Sequence, residues 1–549
     1  MSSLDFMKFT LAFALLLCST LSSFAEQIPL RIGVVQEYGQ FNPITLNLAS
    51  TESFLHFVMR EMTTRNEKGQ MIADLAEKIP SSENTLAKVK NKKIVAVWTI
   101  KKNANWSDGR PVVCKDWWLG WQVGLSANTM TQEKNLYTKI ENIEWTLATQ
   151  KKCTVTYATA SWTFDRDLPY PIPYHLENAI FSNWKNQKEA YDQNSLFVTA
   201  PATLGLYNGP YQVQEFKLGS HFILVKNSYF YGSPAKIDKI MVKHIGDAST
   251  LAAHLKTDSI NMVSAVGYPP DLALNFAETE KDSNFTVFFQ DSPIFQGIFF
   301  NHENEFLKEI AIRKALALSI DKKKLTEAFF NGRFKPAETF LPPTSAEFKE
   351  KPASRDLEQA KKLLTESGWL ETPKKIRAKN NRELMIDFKT SSGIKILEII
   401  QVFLCNEFAK IQVGCSIKNQ PPRTLLGDTI TKGDFGMAMF GNSVVPDTSL
   451  TSLFSSHEIP SKENSWTGGN NLRWKSENMD TLLKSFDQEN NSVKRNIILR
   501  KMENEILSQV AFIPLYHRKE AAIIPKNLRG FTYLGKGTNF AFPEKWILD

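Results

Sequence analysis

Apolar and polar positions alternate or cluster in short runs over the first half of the chain and recur at helical spacing over much of the second. LRIGVVQ, Leu30 to Gln36, reads as a buried first strand, and Phe41-Asn42-Pro43 turns the chain into a helical stretch around Ser53 to Glu61. KIVAVWTIKK, Lys93 to Lys102, is rich in β-branched and aromatic residues and predicts a strand. Behind it Asp108-Gly109 marks a tight turn, and Trp117, Trp118, Trp121 and Leu125 follow Asp116 at roughly helical spacing. Strand signals continue to about Thr159, and the prolines of PYPIPYH, Pro169 to His175, exclude helix interior there. Tyr211 to Asn227 alternates on both sides of Gly219-Ser220, the pattern of a β-hairpin, and Lys236 to Ile245 adds a strand.

Ile312 to Gly332 reads as two short helices, the second capped by Asp321 and stopped at Asn331-Gly332. Arg355 to Trp369 is a helix with Asp356 as N-cap, Gln359 completing a capping box, an apolar stripe of Leu357, Ala360, Leu363 and Leu364, and Gly368 as its stop. Strands near Leu384 to Lys389 and Gln412 to Lys418 flank a helix from Ile394 to Ala409, an α/β unit. SVKRNIILRKMENEILSQ is helical, and Phe512 to His517 returns to strand.

At 549 residues the chain is long enough for about three domains. The net charge of +8 comes from dispersed lysines without a nucleic-acid motif, so it describes solvated faces and implies no nucleic-acid partner. The first residues say more. MKFTLAFALLLCSTLSSFA, Met7 to Ala25, joins a basic residue, an apolar run and the small residues Ser23 and Ala25, so residues 1–25 are expected to be a cleaved export signal and the mature protein periplasmic. Cys18 invites a lipoprotein reading, but Leu17 is too large for the position before it. Of the four cysteines left, Cys405 and Cys415 join the end of a helix to the next strand and can pair, with buried thiols the alternative; Cys114 and Cys153 stay open.

Asp108 and Asp116 stand eight positions apart, a spacing that admits a general acid and base, yet the turn chemistry around them favours scaffold. No nucleophile elbow, P-loop, HExxH or dinucleotide fingerprint occurs; GNSVV, Gly441 to Val445, lacks the last glycine of the elbow. His244 and His254 have only a weakly metal-like spacing, so no cofactor or metal is expected. Tyr38, Tyr268 and Trp466 sit in polar or turn-rich stretches, where exposed aromatics would suit a cleft for an amphipathic ligand.

Several stretches together resemble the peptide and nickel class of extracellular solute-binding proteins that feed ABC importers. TIKKNANWSDGRPVVCKDWW carries Asp108, Gly109, Pro111 and Asp116 of a strand, D-G-x-P turn and helix entry, with Val113 departing from the usual Thr. NGPYQVQEFKLGSHFILVKNSYFYGSPAKIDKIMVK matches at Gly209, Pro210, Tyr211, Asn227, Gly232, Ile237, Asp238 and Ile240. FFNHENEFLKEIAIRKALALSIDKKKL matches at Asn301, Arg313, Ala315, Leu316, Ile320 and Asp321, and the EQAKKLL helix, NNLRWKSENMDTLL and IPLYH follow in order.

The resemblance implies an α/β, two-lobed, type II periplasmic-binding fold with an extra domain inserted in the first lobe. Residues 26–61, 204–288 and 510–549 would form the first lobe, 62–203 the insertion and 289–509 the second lobe. It implies a monomeric, non-enzymatic receptor that binds a peptide or other small solute between its lobes and delivers it to an inner-membrane permease. Peptide receptors of this kind carry an Asp for the ligand ammonium, whereas MFGNSVVPDTSLTSLF, Met439 to Phe454, places Asn442 at or beside that position and Val445 at the family's second acid. The expected ligand contacts are Gly441, Asn442, Ser443, Glu37, Tyr38, Tyr268 and Trp466, with Asp447 as a substitute acid. Either Glu37 pins a peptide N-terminus, or the ligand lacks a free amine: a nickel complex, an oligosaccharide or another amphipathic solute. A sensory or chaperone-like receptor and an exported hydrolase are the rivals.

Overall fold

The computed structural model describes residues 29–549 apart from 46–48, 68–69, 132–133, 167, 266–267, 344, 346–347, 350–354, 445–447, 465, 467 and 534–539. The expected export signal lies outside the described residues. Ten strands make one mixed sheet. In chain order they are β1 (Leu30–Val34), β2 (Tyr211–Lys217), β3 (His221–Lys226), β4 (Lys239–His244), β5 (Met262–Val263), β6 (Phe285–Phe300), β7 (Met385–Thr390), β8 (Gly414–Ile417), β9 (Met437–Ser443) and β10 (Phe512–Pro525). In space they run β8-β7-β9-β6-β10-β5-β1-β4-β3-β2.

β6 and β10, of 16 and 14 residues, are the longest strands and pair antiparallel along both halves of their length. Phe285–Asp291 lie against Lys519–Pro525, and Phe295–Phe299 against Phe512–His517. Their other neighbours change from half to half. β5 meets β10 at Ile523, and β9 meets β6 from Ile294 to Phe300. Within the sheet, the two long strands are therefore what joins a half built on β1 to β5 to a half built on β7 to β9. Each half buries its own apolar residues, including Ile32, Phe222 and Leu224 in the first and Ile298, Phe388 and Leu404 in the second.

The expected hairpin is β2 and β3, turning at Gly219 with φ at +72°. β7, a helix at Lys395–Ala409 and β8 form the α/β unit, the two strands parallel and the helix tied to β8 by the Cys405–Cys415 disulfide. The caps read from the sequence also form. Asp321 and Asp356 accept from the N–H groups of Lys324 and Gln359, each at 2.9 Å, satisfying donors that a helix start leaves free.

Between Arg60 and Asn208 the chain leaves the large sheet and builds a four-stranded antiparallel one, ordered Ala87–Lys90, Lys93–Thr99, Lys152–Tyr157, Ile140–Glu144. The Cys114–Cys153 disulfide fastens its helix Cys114–Leu125 to the sheet. The exit and return are held together: the Asn208 side chain accepts from Arg60 N–H at 2.8 Å and donates to the Arg60 carbonyl at 3.1 Å. The Arg60 guanidinium is buried among Asp74 (3.3 Å), Glu544 (2.7 Å) and the His56 ring (2.5 Å), which burial and the adjacent cation keep neutral well below the usual histidine range.

Asp108 and Asp116 are structural. Asp116 is buried, and its carboxylate accepts from the N–H groups of Val113 (2.8 Å) and Tyr174 (2.9 Å) and from the Trp106 indole (3.1 Å). Burial pushes its pKa up to about 6 even so. Asp108 accepts from Arg110 N–H in the Asp-Gly turn, where Gly109 has φ at +84°, and bonds His175 at 3.0 Å.

Candidate functional site

The register of β6 and β10 breaks where they pass from one half of the sheet to the other. Asp291 faces Lys519 and Phe295 faces His517, so Ser292, Pro293 and Ile294 stand opposite Arg518 alone. Pro293 has no N–H to give to a ladder, which accounts for a bulge at this point. The bulge is fixed from the β10 side: Lys519 pairs with Asp291 at 2.5 Å, and Ser292 donates to Glu520 at 2.9 Å.

β9 runs along this crossing. Its inner edge pairs with β6 through Ser443, but its outer edge pairs with β7 only from Met437 to Met439. Among the described residues no strand covers the outer edge of Phe440–Ser443, so main-chain donors and acceptors there are open to an added strand. Side chains alternate across the strand. On one face, a β-carbon at Gly441 would lie 3.1 Å from Ile294 Cγ2, 3.2 Å from Arg518 Nη1 and 3.4 Å from Gln296 Oε1, so glycine leaves the room these groups use. On the other face lie Asn442, half-buried, and its register partners Phe295 and His517. His517 is 3% exposed, neither ring nitrogen has a hydrogen-bond partner among the described residues, and burial brings its pKa down to about 4.

The sequence-derived candidates divide. Gly441, Asn442 and Ser443 sit at the crossing; Glu37 is exposed just beyond the end of β1. Tyr38 and Tyr268 are not exposed aromatics. Tyr38 is 1% exposed, its hydroxyl donating to the Lys217 carbonyl at 3.0 Å and its ring set edge-on to Phe222, because the hairpin folds over it. Tyr268 is 6% exposed and packs with Val263, Phe276 and Ile523. Trp466 is half-buried with φ at +60°, and among the described residues nothing bonds it to the β9 edge. Asp447 lies outside the described residues, with Val445 and Pro446. His244 and His254 serve local structure, bonding the Val35 carbonyl and Ser259, and among the described residues no group of His, Cys, Asp or Glu could hold a metal.

Sequence reasoning missed Arg518, Gln296 and Trp162. A signal existed for the first: His517 to Glu520 is a polar run inside an otherwise apolar strand. Trp162 comes from the segment between Arg60 and Asn208 yet packs in the second half of the molecule, 5.6 Å from Phe486 and 3.7 Å from the Arg495 guanidinium. Among the described residues no helix is long and apolar enough to cross a membrane.

Comparison with known proteins agrees with this architecture. Residues 70–460 match the sequence profile described as bacterial extracellular solute-binding proteins, family 5 Middle. The chain is similar to the periplasmic murein peptide-binding protein MppA of Escherichia coli, 23% identical over 86% of this chain and 84% of that one. It superposes on the oligopeptide-binding protein AppA of Bacillus subtilis in complex with a nonapeptide with a TM-score of 0.74, 21% identity and coverage of 95% and 98%. NikZ of Campylobacter jejuni in complex with Ni(L-His) gives a TM-score of 0.76, 20% identity and coverage of 95% and 99%.

Proposed function

The chain belongs to the family 5 bacterial extracellular solute-binding proteins, and from that premise we propose that it captures an extended oligopeptide at the crossing of β6 and β10 and delivers it to the permease of an ABC importer. The observation that carries the peptide reading is the open edge Phe440–Ser443. A peptide laid along that edge gains main-chain hydrogen bonds whatever its side chains, which gives affinity with broad sequence tolerance. The peptide ligands of relatives such as MppA and AppA support the same reading.

In this reading residues 26–61, 204–288 and 510–549 form one lobe, 62–203 an insertion and 289–509 the other lobe, and bending at the bulge of β6 closes them over the ligand. The protein acts outside the cytoplasm as a monomeric receptor and catalyses nothing. A ligand without a free amine is favoured by one observation: none of Phe440 to Val444 carries a carboxylate for an ammonium group. Native mass spectrometry of protein purified from its own periplasm separates the two. A released ladder of short peptides is expected, and a single non-peptide species would overturn the peptide reading while leaving the receptor role.

A further inference from the structure

We propose that Asn284 is a glycan-attachment site, its side-chain nitrogen accepting an oligosaccharide from a polyprenyl diphosphate carrier outside the cytoplasm. Such a site depends on export alone and is independent of what the cleft binds.

Asn-x-Ser/Thr triplets begin at Asn105, Asn284 and Asn490. An amide nitrogen is a poor nucleophile because its lone pair is shared with the carbonyl, so a transferase must grip the residues around it. A hydroxyl two positions on gives one grip, and a carboxylate two positions before, which a cation of the transferase can hold, gives a second. Asn284 has both, in Asp282-Ser283-Asn284-Phe285-Thr286, whereas Asn490 has Gln488 in the place of the acid and Asn105 has Asn103. The Asn105 triplet is closed off as well, since Trp106 and Ser107 are buried and Ser107 Oγ accepts from Gly205 N–H at 2.8 Å.

The fold presents all three groups of the Asn284 stretch. Side chains of an extended segment alternate in direction. Asp282, Asn284 and Thr286 are exposed, while Ser283 and Phe285 between them are half-buried, Phe285 against the cluster that holds Val263, Phe276 and Ile523. Among the described residues the side chains of Asp282, Asn284 and Thr286 make no hydrogen bond or ion pair. Ser283 N–H closes a turn on the Glu280 carbonyl at 3.1 Å, and the Asn284 carbonyl accepts from Lys526 N–H at 2.9 Å, so the acceptor stands where a turn enters β6. Phe285 faces Pro525, which has no N–H to give to the ladder, and among the described residues no strand covers the outer edge of β6 from Phe285 to Asp291. A transferase can therefore engage this stretch from outside without unpairing a strand. From Asn284 to the bulge at Ser292 is roughly 26 Å of strand, which keeps a glycan clear of the crossing.

In the transfer, the Asn284 nitrogen bonds to the anomeric carbon of the first sugar. The bond from that carbon to the carrier diphosphate breaks with its electron pair going to the diphosphate, and one amide proton passes to a base of the transferase.

The test is peptide mass spectrometry of protein purified from its own periplasm. Trypsin cuts after Lys281 and Lys308, and the peptide of residues 282–308 should carry an added mass of several sugars on Asn284. Asn284→Gln and Thr286→Val should lose that mass entirely, Thr286→Ser should keep it, and Asp282→Asn should lower its occupancy about tenfold. Asn284→Gln should bind ligand as the wild type does. A bare peptide from the native protein, sugar on Asn490 or Asn105 instead, or unchanged occupancy in Asp282→Asn overturns the assignment and leaves the receptor reading untouched.

Discussion

The indole of Trp162 meets the ring of Phe486 edge to face, with centroids 5.6 Å apart and planes at 88°. Trp162 belongs to the segment that leaves the first half of the sheet at Arg60, whereas Phe486 lies in helix Glu477–Gln488 on the second half. The guanidinium groups of Arg495 and Arg166 lie 3.7 and 4.8 Å from the indole ring. An aromatic contact with cations on it is therefore made across the gap between the two halves.

Trp162→Ala should loosen that contact. An aromatic pair with a cation–π partner contributes on the order of 1–2 kcal/mol, so ligand should dissociate about tenfold faster. X-ray scattering of the ligand-free variant should give a larger radius of gyration than the wild type. Unchanged scattering and an unchanged off-rate would show that Trp162 only fills space.

His517 predicts an acid-sensitive fold. Its folded pKa, about 4, is below the unfolded value near 6.5, so below pH 6.5 the unfolded chain takes up a proton that the native state refuses. Its contribution is fully present above pH 6.5 and is lost as pH falls toward 4, at about 1.4 kcal/mol per pH unit. Urea unfolding between pH 7 and 4 should show His517→Gln with a shallower decline than the wild type. Parallel profiles would mean that the ring is solvated in the native protein.

The two disulfides should differ in weight. They close segments of 39 and 10 residues, for which the chain-entropy relation gives about 4 and about 3 kcal/mol. Cys114→Ala/Cys153→Ala should therefore lower the urea midpoint more than Cys405→Ala/Cys415→Ala. The opposite order would place native-state strain above unfolded-state entropy.

Local structure was legible wherever period and punctuation agreed, as in β2 and β3 around Gly219 and in the helix Ser492–Gln509. β6 was not, because Gln290 to Pro293 interrupts its apolar run and reads as a break; pairing with β10 on both sides carries the strand through. Tyr38 and Tyr268 were misread for a related reason. Turn-rich sequence around an aromatic suggests exposure, but distant segments, β3 over Tyr38 and β10 beside Tyr268, cover each ring. Asn442 and Gly441 could be placed among the ligand contacts by resemblance alone, while the strand edge they lie on, their opposite faces and the approach of Arg518 to one of them depend on pairing between remote segments.

The ion pair between Arg60 and Glu544 spans 484 positions. During synthesis the guanidinium emerges long before the carboxylate, so until residue 544 appears the first half has Asp74 but not Glu544 to offset a charge it must bury. A nascent or truncated chain ending before residue 544 should therefore leave the first half open and protease-sensitive, and Glu544 acts as the latch that commits that half to fold.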